Sequence, residues 1–329
     1  MGKRLSLDDK LAAIRAIRER PNTPGDTVEL RQYIGDRSNL VVATAAELVG
    51  ERTVAELADQ LETAFDTFLV DPLKSDKLCR AKLAIVQALD KIEHRKRDVF
   101  EKAAKHVQLE PAFGGKVDTA APLRSAGIFA LARIGGPEYY CLLVNSLVDR
   151  EKEVRSAAAQ ALAYIGSETA SMLLRLKALM GDVEPDVLSE CFSGLLTIEP
   201  TENLAFVCEF LEPLKESQCE AAALALGRSR SPVALEALKA CWKRSYQPAL
   251  NEQILLAIAM MRLPAAIDFL VELVESDSEK TALAAMSALK FHAYDLKLRE
   301  RLALIVKKNG SRSILSRFER DFRADDRKS

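Results

Sequence analysis

Apolar residues recur three or four positions apart along most of this chain, in stretches that end at Gly or Pro. In the clearest stretch, residues 151–165, the apolar positions form one face, and Glu153, Ser156 and Gln160 lie on the opposite face. This spacing is that of an amphipathic α-helix, and its small Ala residues let neighbouring helices approach closely. Gly166 follows and is suited to end the helix in a left-handed conformation. Strand patterns are nearly absent, so the chain is predicted to be all-α.

The same order of features repeats along the middle of the chain: an Asp, an apolar helical stretch, and a break at Gly or Pro. The Asp residues of three successive units, Asp118, Asp149 and Asp182, are 31 and 33 residues apart. A period of this length is typical of helical solenoids, in which each unit buries its apolar face against its neighbours. The pattern predicts about eight helix pairs. The second helices of the later pairs are expected at 120–134, 151–165, 185–198, 216–227, 248–261 and 278–290.

The predicted organisation is one elongated domain with four parts. Residues 1–25 hold a capping helix and a linker, and 26–116 hold irregular repeats. Regular repeats fill 117–294, and 295–329 form a basic helical cap and tail. Residues 110–117 interrupt the pattern and are predicted to be a loop, which leaves open whether they form a hinge, a binding loop or an insertion. A stack of repeats escapes the usual size limit of a domain, because each unit touches only its neighbours.

Two units share a motif: an Asp, five residues, an Arg, and then an Ala-rich helix that ends at Gly. The motif runs from Asp118 to Arg124 and from Asp149 to Arg155. At these residues the chain resembles the HEAT-repeat family, and more narrowly the short repeat that is also found in phycobilin lyases. Other units depart from the motif, with Leu188 in place of the Arg and Lys74 in place of the Asp before Arg80.

The resemblance implies a right-handed α-solenoid in which the second helix of each pair lines a concave face. It also implies that four residues tie adjacent repeats together through ion pairs and helix capping. These residues of the structural ladder are Asp118, Arg124, Asp149 and Arg155. The resemblance implies no single activity.

A concave face lined by the second helices would present small polar side chains in neighbouring rows. Such side chains would let a partner's helix or extended segment approach closely, with Phe129 as an apolar anchor. The residues predicted to bind a partner are Ser125, Phe129, Ser156, Gln160, Ser189 and Ser193. The sequence therefore favours a non-catalytic protein-binding scaffold or adaptor whose partner is not identified.

The distribution of charged residues indicates an alternative function. The chain has 47 basic and 48 acidic residues, so it is no general polyanion binder. The last part, 290–329, is nonetheless basic, and a second basic cluster lies at 91–97 with Lys91, Arg95, Lys96 and Arg97. Such patches could neutralise phosphates, which makes a nucleic-acid-binding module the second hypothesis.

Residue patterns for catalysis, metals or cofactors are missing. The three His residues are far apart, and the six Cys residues stand singly in apolar stretches, as is typical of a reducing compartment. No apolar run of membrane-spanning length occurs, so the protein is predicted to be cytoplasmic, without a metal or cofactor. The third hypothesis is an enzyme on the same scaffold, either a phycobilin lyase or a DNA glycosylase. Only Trp242 supports the glycosylase.

Overall fold

The computed structural model describes residues 5–276, 278–309 and 311–322, and these residues form twenty α-helices and one small sheet. The all-α prediction is therefore confirmed. The predicted break at Gly310 and the end of the basic tail, residues 323–329, lie outside the described residues. The chain separates into two compact units, Met1–Ile165 (unit 1) and Gly166–Ser329 (unit 2), where the sequence predicts one elongated domain.

Unit 1 is built from four consecutive helix pairs: α2 with α3, α4 with α6, α7 with α8, and α9 with α10. The second helices α3, α6, α8 and α10 pack on one another in chain order, and α1 covers the first pair. The helices are α1 (Leu7–Glu19), α2 (Pro24–Ile34), α3 (Asn39–Glu51), α4 (Ala58–Leu69), α5 (Pro72–Ser75), α6 (Arg80–Lys91), α7 (Arg97–Lys105), α8 (Ala121–Ile134), α9 (Tyr140–Leu147) and α10 (Lys152–Ile165).

Unit 2 repeats this plan with four more pairs, from α11 with α12 to α17 with α18. Its second helices α12, α14, α16 and α18 pack in chain order, and α20 packs on α18. The helices are α11 (Glu168–Met180), α12 (Pro185–Ile198), α13 (Pro200–Cys208), α14 (Glu216–Ser229), α15 (Pro232–Arg244), α16 (Pro248–Met260), α17 (Pro264–Ser276), α18 (Glu279–Leu289), α19 (Leu296–Asn309) and α20 (Arg312–Phe322). The prediction of about eight pairs is confirmed for the described residues.

A polar side chain stands just before each second helix and accepts a hydrogen bond from a backbone N–H. Asp76 and Ser278 bond N–H groups in the first turn of their helices, and the other six bond the N–H two residues ahead, in the turn that leads into the helix. The eight residues at this position are Asp36, Asp76, Asp118, Asp149, Asp182, Glu212, Ser245 and Ser278. The repeat is thus defined by a side-chain acceptor before the second helix, and the residue type of this acceptor varies along the chain.

Between α7 and α8 the chain forms an antiparallel β-hairpin, so the prediction of a loop at 110–117 is wrong. Strands β1 (Leu109–Ala112) and β2 (Gly115–Asp118) pair over four residues each. Phe113 and Gly114 make the two-residue turn, and Gly114 has a φ of +87°, a region that favours glycine. The hairpin lengthens the third repeat, and Asp118, the last residue of β2, lies just before helix α8.

Candidate functional site

Arg124 lies at the centre of a buried polar cluster in unit 1. Its Nη1 is 2.7 Å from Asp118 Oδ2, and its Nε and Nη2 each lie 3.0 Å from an oxygen of Asp149. Nη1 also donates to the carbonyl oxygen of His106 at 2.9 Å. Arg155 donates to the carbonyl oxygen of Asp149, likewise at 2.9 Å. Because Asp118 and Asp149 begin consecutive repeats, this cluster joins the two repeats through a bidentate ion pair.

Acid should weaken this cluster, because the pKa of Asp118 is held below its ordinary value. Burial alone would raise that pKa, but hydrogen bonds from the Gln108 and Ala120 backbone and from Arg124 outweigh it. A depressed pKa contributes stability above the unfolded value, near 3.9, and this stability is lost as pH falls through the folded pKa. In urea unfolding followed by circular dichroism between pH 7 and 3, Asp118→Asn should therefore flatten the loss of stability below about pH 4.

The exposed Asp71, which forms an ion pair with Lys74, provides the control. Asp71→Asn should leave the pH dependence of unfolding as it is in the wild-type protein, since exposed ion pairs contribute little to stability. An equal pH dependence in Asp118→Asn and wild type would contradict the expectation for Asp118.

The repeat before this cluster uses the same arrangement with a lysine. Asp76 accepts a hydrogen bond from the backbone N–H of Lys82, and its carboxylate lies 3.1 Å from Lys82 Nζ, with both side chains fully buried. Lys82 Nζ also donates to Gln108 Oε1 at 3.0 Å, which connects this repeat to the next. Asp76 and Lys82 have the spacing of the Asp and Arg in the later units. The alignment of the motif on Lys74 and Arg80 is therefore wrong by two residues.

The six residues predicted to bind a partner differ in their exposure. Gln160 is exposed, but Ser189 is only 4% exposed and lies in the packed interior of unit 2. The hydroxyl oxygens of Ser189 and Ser193 are buried without a hydrogen-bond partner. Placing Ser189 on a surface is therefore wrong. The half-buried residues are Ser125, Phe129, Ser156 and Ser193.

The basic cluster at 91–97 is partly neutralised. Lys96 forms ion pairs with two carboxylates of α4, and Arg97 pairs with Glu138. Arg97 also lies over the ring of Tyr139, 5.1 Å from its centroid. Lys91 and Arg95 are exposed and form no ion pair within the described residues. Half of the predicted patch is thus already occupied by protein groups.

The basic C-terminal helices are paired in the same way. Three cations converge on Asp321, whose side chain is 3% exposed. Two further cations reach carboxylates of α17. The paired basic residues are Lys290, Arg301, Lys308, Arg317 and Arg320. These five cations already have carboxylate partners, so they are not free to bind a phosphate.

The residues considered for chemistry lie apart from one another. Trp242 is half-buried and packs edge-on against Phe269, with 5.7 Å between the ring centroids. His292 is buried, and its Nε2 is 2.8 Å from the carbonyl oxygen of Ala259. No group of three or more His, Cys, Asp or Glu side chains with metal-binding geometry occurs among the described residues. In that part of the chain, no helix has the length and apolar character needed to cross a bilayer.

Helix α11 in unit 2 has an unusual distribution of side chains. Its buried face includes Ser171 and Lys177, and Lys177 Nζ is 2.8 Å from Asp182 Oδ2. Its opposite face is apolar, and four large side chains there, together with Val183 just after the helix, are 54% to 88% exposed. These residues form the α11 stripe: Met172, Leu176, Leu179, Met180 and Val183.

The α11 stripe is continuous and uncharged. The four residues within the helix recur at helical spacing, and Thr169 and Leu173 fill the rest of a sector of about 120°. A helix that is apolar on both faces is normally buried, and contiguous exposed apolar patches mark interaction surfaces. Sequence analysis missed this surface, although the apolar run from Met172 to Met180 is visible. Periodicity does not decide which apolar face of such a helix is covered.

A second exposed apolar surface lies on unit 1. It is found where the hairpin faces the turn between α9 and α10. A cavity of about 630 Å³ lies there. Four aliphatic side chains that are 48% to 59% exposed line it, together with two cations on the rim. These six residues define the loop cleft: Val107, Leu109, Val117, Val148, Lys116 and Arg150.

A second cavity of about 570 Å³ adjoins the loop cleft. The two cavities share Val107, Arg124 and Asp149 as lining residues. Tyr139 also lines the second cavity, and its hydroxyl is buried without a hydrogen-bond partner. The two cavities therefore lie side by side over the Arg124 cluster, one at the hairpin and the other at Tyr139.

Comparisons with known proteins give similar folds only. No family model matches the chain, and no curated protein matches its sequence. One similar structure is the complex of CpcE and CpcF of phycocyanin lyase from Nostoc sp. PCC7120, with 18% identity and a TM-score of 0.35. The match covers 88% of this chain and 96% of that chain. A lyase of the kind that the repeats resemble is thus among the similar structures.

Two further similar structures are an engineered protein and human deoxyhypusine hydroxylase in complex with glycerol. The engineered protein has 18% identity and a TM-score of 0.34, over 95% of this chain and 92% of that chain. The hydroxylase has 15% identity and a TM-score of 0.26, over 87% and 89%. Because all three scores are below 0.5, the fold rests on the chain's own helix pairs and caps.

Proposed function

We propose that the protein is a non-catalytic, cytoplasmic scaffold that binds other proteins. The observation that carries this proposal is the α11 stripe, an uncharged face of large apolar side chains on the surface of unit 2. From Met172 to Met180 its residues follow the spacing of helix positions along about two turns, which matches the apolar face of another amphipathic helix. Met172 and Met180 add adaptable side chains, which suit binding of such a helix. The proposed occupant is therefore an amphipathic helix of a partner protein.

The charge distribution supports a protein partner over nucleic acid. Lys96, Arg97 and five of the nine basic residues described between 290 and 322 already form ion pairs, so just over half of the cations described at the two predicted basic patches are neutralised. Binding driven by phosphates needs several free cations and weakens steeply with salt. An apolar stripe binds by burying surface, which moderate salt does not weaken.

Charges introduced into the α11 stripe should abolish partner binding. The tagged protein is incubated with extract from its native cells, with nuclease and at two salt concentrations, and bound proteins are quantified by mass spectrometry. We expect a defined protein to be retained under all conditions, and Leu176→Glu with Leu179→Glu to lower its retention at least about tenfold. Both leucines are more than half exposed, so the fold should remain, as circular dichroism would show.

The matched control is Lys243→Glu on α15, an exposed charge change away from the stripe, which should leave retention unchanged. Light scattering on the purified protein separates the remaining outcomes. A dimer that Leu176→Glu dissociates would identify a second copy, rather than a partner helix, as the occupant. Retention of nucleic acid alone, lost at higher salt, would overturn the proposal in favour of a nucleic-acid-binding module.

A further inference from the structure

We infer that the loop cleft binds an extended, acidic segment of a partner protein, which inserts one aliphatic side chain between the hairpin and the turn from α9 to α10. This inference deepens the proposed scaffold function by assigning a second surface, on unit 1, and the chemistry of its ligand. It stands on the lining of the cleft, the charges on its rim and the neighbouring Tyr139 hydroxyl.

The apolar lining selects the anchor. Val107, Leu109, Val117 and Val148 come from three separate chain segments and surround one cavity, although each is about half exposed. Isolated exposed aliphatic residues need no explanation, but four around one concavity form a binding pocket. An unbranched or branched aliphatic side chain fits such a pocket, because it displaces water from all four walls without introducing an unpaired polar group.

The rim selects the charge of the flanking residues. The floor carboxylates of Asp118 and Asp149 are already satisfied by Arg124 and by backbone N–H groups. Lys116 and Arg150 are exposed and form no ion pair or side-chain hydrogen bond with any described residue. The remaining unpaired carboxylate of the lining is Glu151. Two free cations against one free anion favour carboxylates beside the anchor.

The extended conformation follows from the neighbours of the cleft. Strand β2 pairs with β1 on one side only, and Lys116, Val117 and Asp118 of β2 line the cavity. An added strand is the ordinary ligand of a free sheet edge. Beyond the anchor, the segment reaches the second cavity, where the Tyr139 hydroxyl lacks a partner. Buried polar groups are normally hydrogen-bonded, so an oxygen of the segment would complete this site.

The test uses the purified full chain and an array of nine-residue peptides. The central residue of the peptides is Leu, Val, Ser or Lys, and the flanking positions carry Glu, Ser or Lys. We expect the strongest binding for an aliphatic centre with Glu flanks, and the affinity of the best peptide is then measured by fluorescence anisotropy. Val148→Asp should weaken it at least about tenfold, since a charge would enter the apolar pocket.

Two further variants test the other parts of the inference. Lys116→Glu with Arg150→Glu should shift the preference from Glu to Lys flanks, and Tyr139→Phe should lower affinity without changing the flank preference. Lys91→Glu, an exposed and unpaired cation outside the cleft, is the matched control and should change nothing. The variants lie on the surface or remove only a hydroxyl, and their folding is checked by thermal unfolding.

Several results would overturn the inference: no peptide bound at millimolar concentration, affinity independent of flank charge, or full binding by Val148→Asp. If the α11 stripe bound no partner in the retention experiment, none of these results would follow from that. Conversely, peptide binding at the loop cleft does not depend on the stripe. Failure of the proposed scaffold surface on unit 2 and failure of this inference on unit 1 are therefore distinguishable.

Discussion

Replacing Arg124 with Ala should lower the free energy of unfolding of unit 1 by about 3–5 kcal/mol, the cost of removing one partner from a buried ion pair. Arg124 is 3% exposed and holds Asp118 and Asp149 together. Without the guanidinium, two carboxylates of the same charge would face each other in a site largely closed to water. The variant is measured by urea unfolding at pH 7, followed by circular dichroism.

The same helix offers a matched control. Arg133 on α8 also forms an ion pair, with Asp90, but its side chain is about half exposed. Exposed ion pairs contribute about 0–1 kcal/mol, so Arg133→Ala should cost no more than that. Equal costs for the two variants would show that burial of the Arg124 cluster does not set its contribution. Adding Asp118→Asn and Asp149→Asn to the Arg124 variant should restore part of the loss, because the uncompensated charges are then removed.

The helices of this fold follow from the sequence because the signals for them are local. The helix predicted at 151–165 spans Lys152–Ile165, and the one predicted at 185–198 spans Pro185–Ile198. In both cases the apolar period sets the face, and an Asp three residues before the helix, together with a Gly or Pro, marks an end. The Asp118 and Arg124 motif was visible for the same reason, since both residues keep the motif's identity and spacing.

In other repeats the positions of the Asp and the Arg hold different residue types. These repeats are therefore difficult to recognise from the sequence. Glu212, Ser245 and Ser278 take the place of the Asp, since each offers a side-chain oxygen to a backbone N–H just before or at the start of its helix. Lys82 likewise takes the place of an Arg. The shared feature is a hydrogen bond rather than a residue type, so a search for Asp and Arg finds only part of the repeats.

The α11 stripe and the loop cleft could not be predicted from the sequence, and the reasons differ. The hairpin has a turn signal at Gly114 and Gly115, but strands of four residues that contain Pro111 give almost no period. In α11 the apolar residues are easily recognised in the sequence. Which of its faces is buried, however, depends on the packing of neighbouring helices. Ser189 shows the converse, since a small polar residue that the pattern allows on a surface lies in the interior.

Replacing Gly227 with Ala should destabilise unit 2 by about 1–3 kcal/mol, the range for overpacking a close contact. A Cβ at Gly227 would lie 2.5 Å from the carbonyl oxygen of Ala257 and 3.0 Å from its Cα, so α14 would have to move away from α16. Helix propensity alone predicts the opposite, a gain of up to about 1 kcal/mol for Ala over Gly. The sign of the change in urea unfolding therefore decides between the two effects.

Two other glycines complete this test. Gly127 on α8 is equally close to α7, because a Cβ there would lie 2.7 Å from the Phe100 carbonyl oxygen and the Ala104 nitrogen. Gly127→Ala should therefore destabilise unit 1 as Gly227→Ala destabilises unit 2. Gly25 on α2 has no atom nearer than 3.8 Å to the new Cβ, so Gly25→Ala should be neutral or stabilising. Stabilisation by all three substitutions would mean that the helices separate easily, and close backbone contact would then not hold the pairs at their observed spacing.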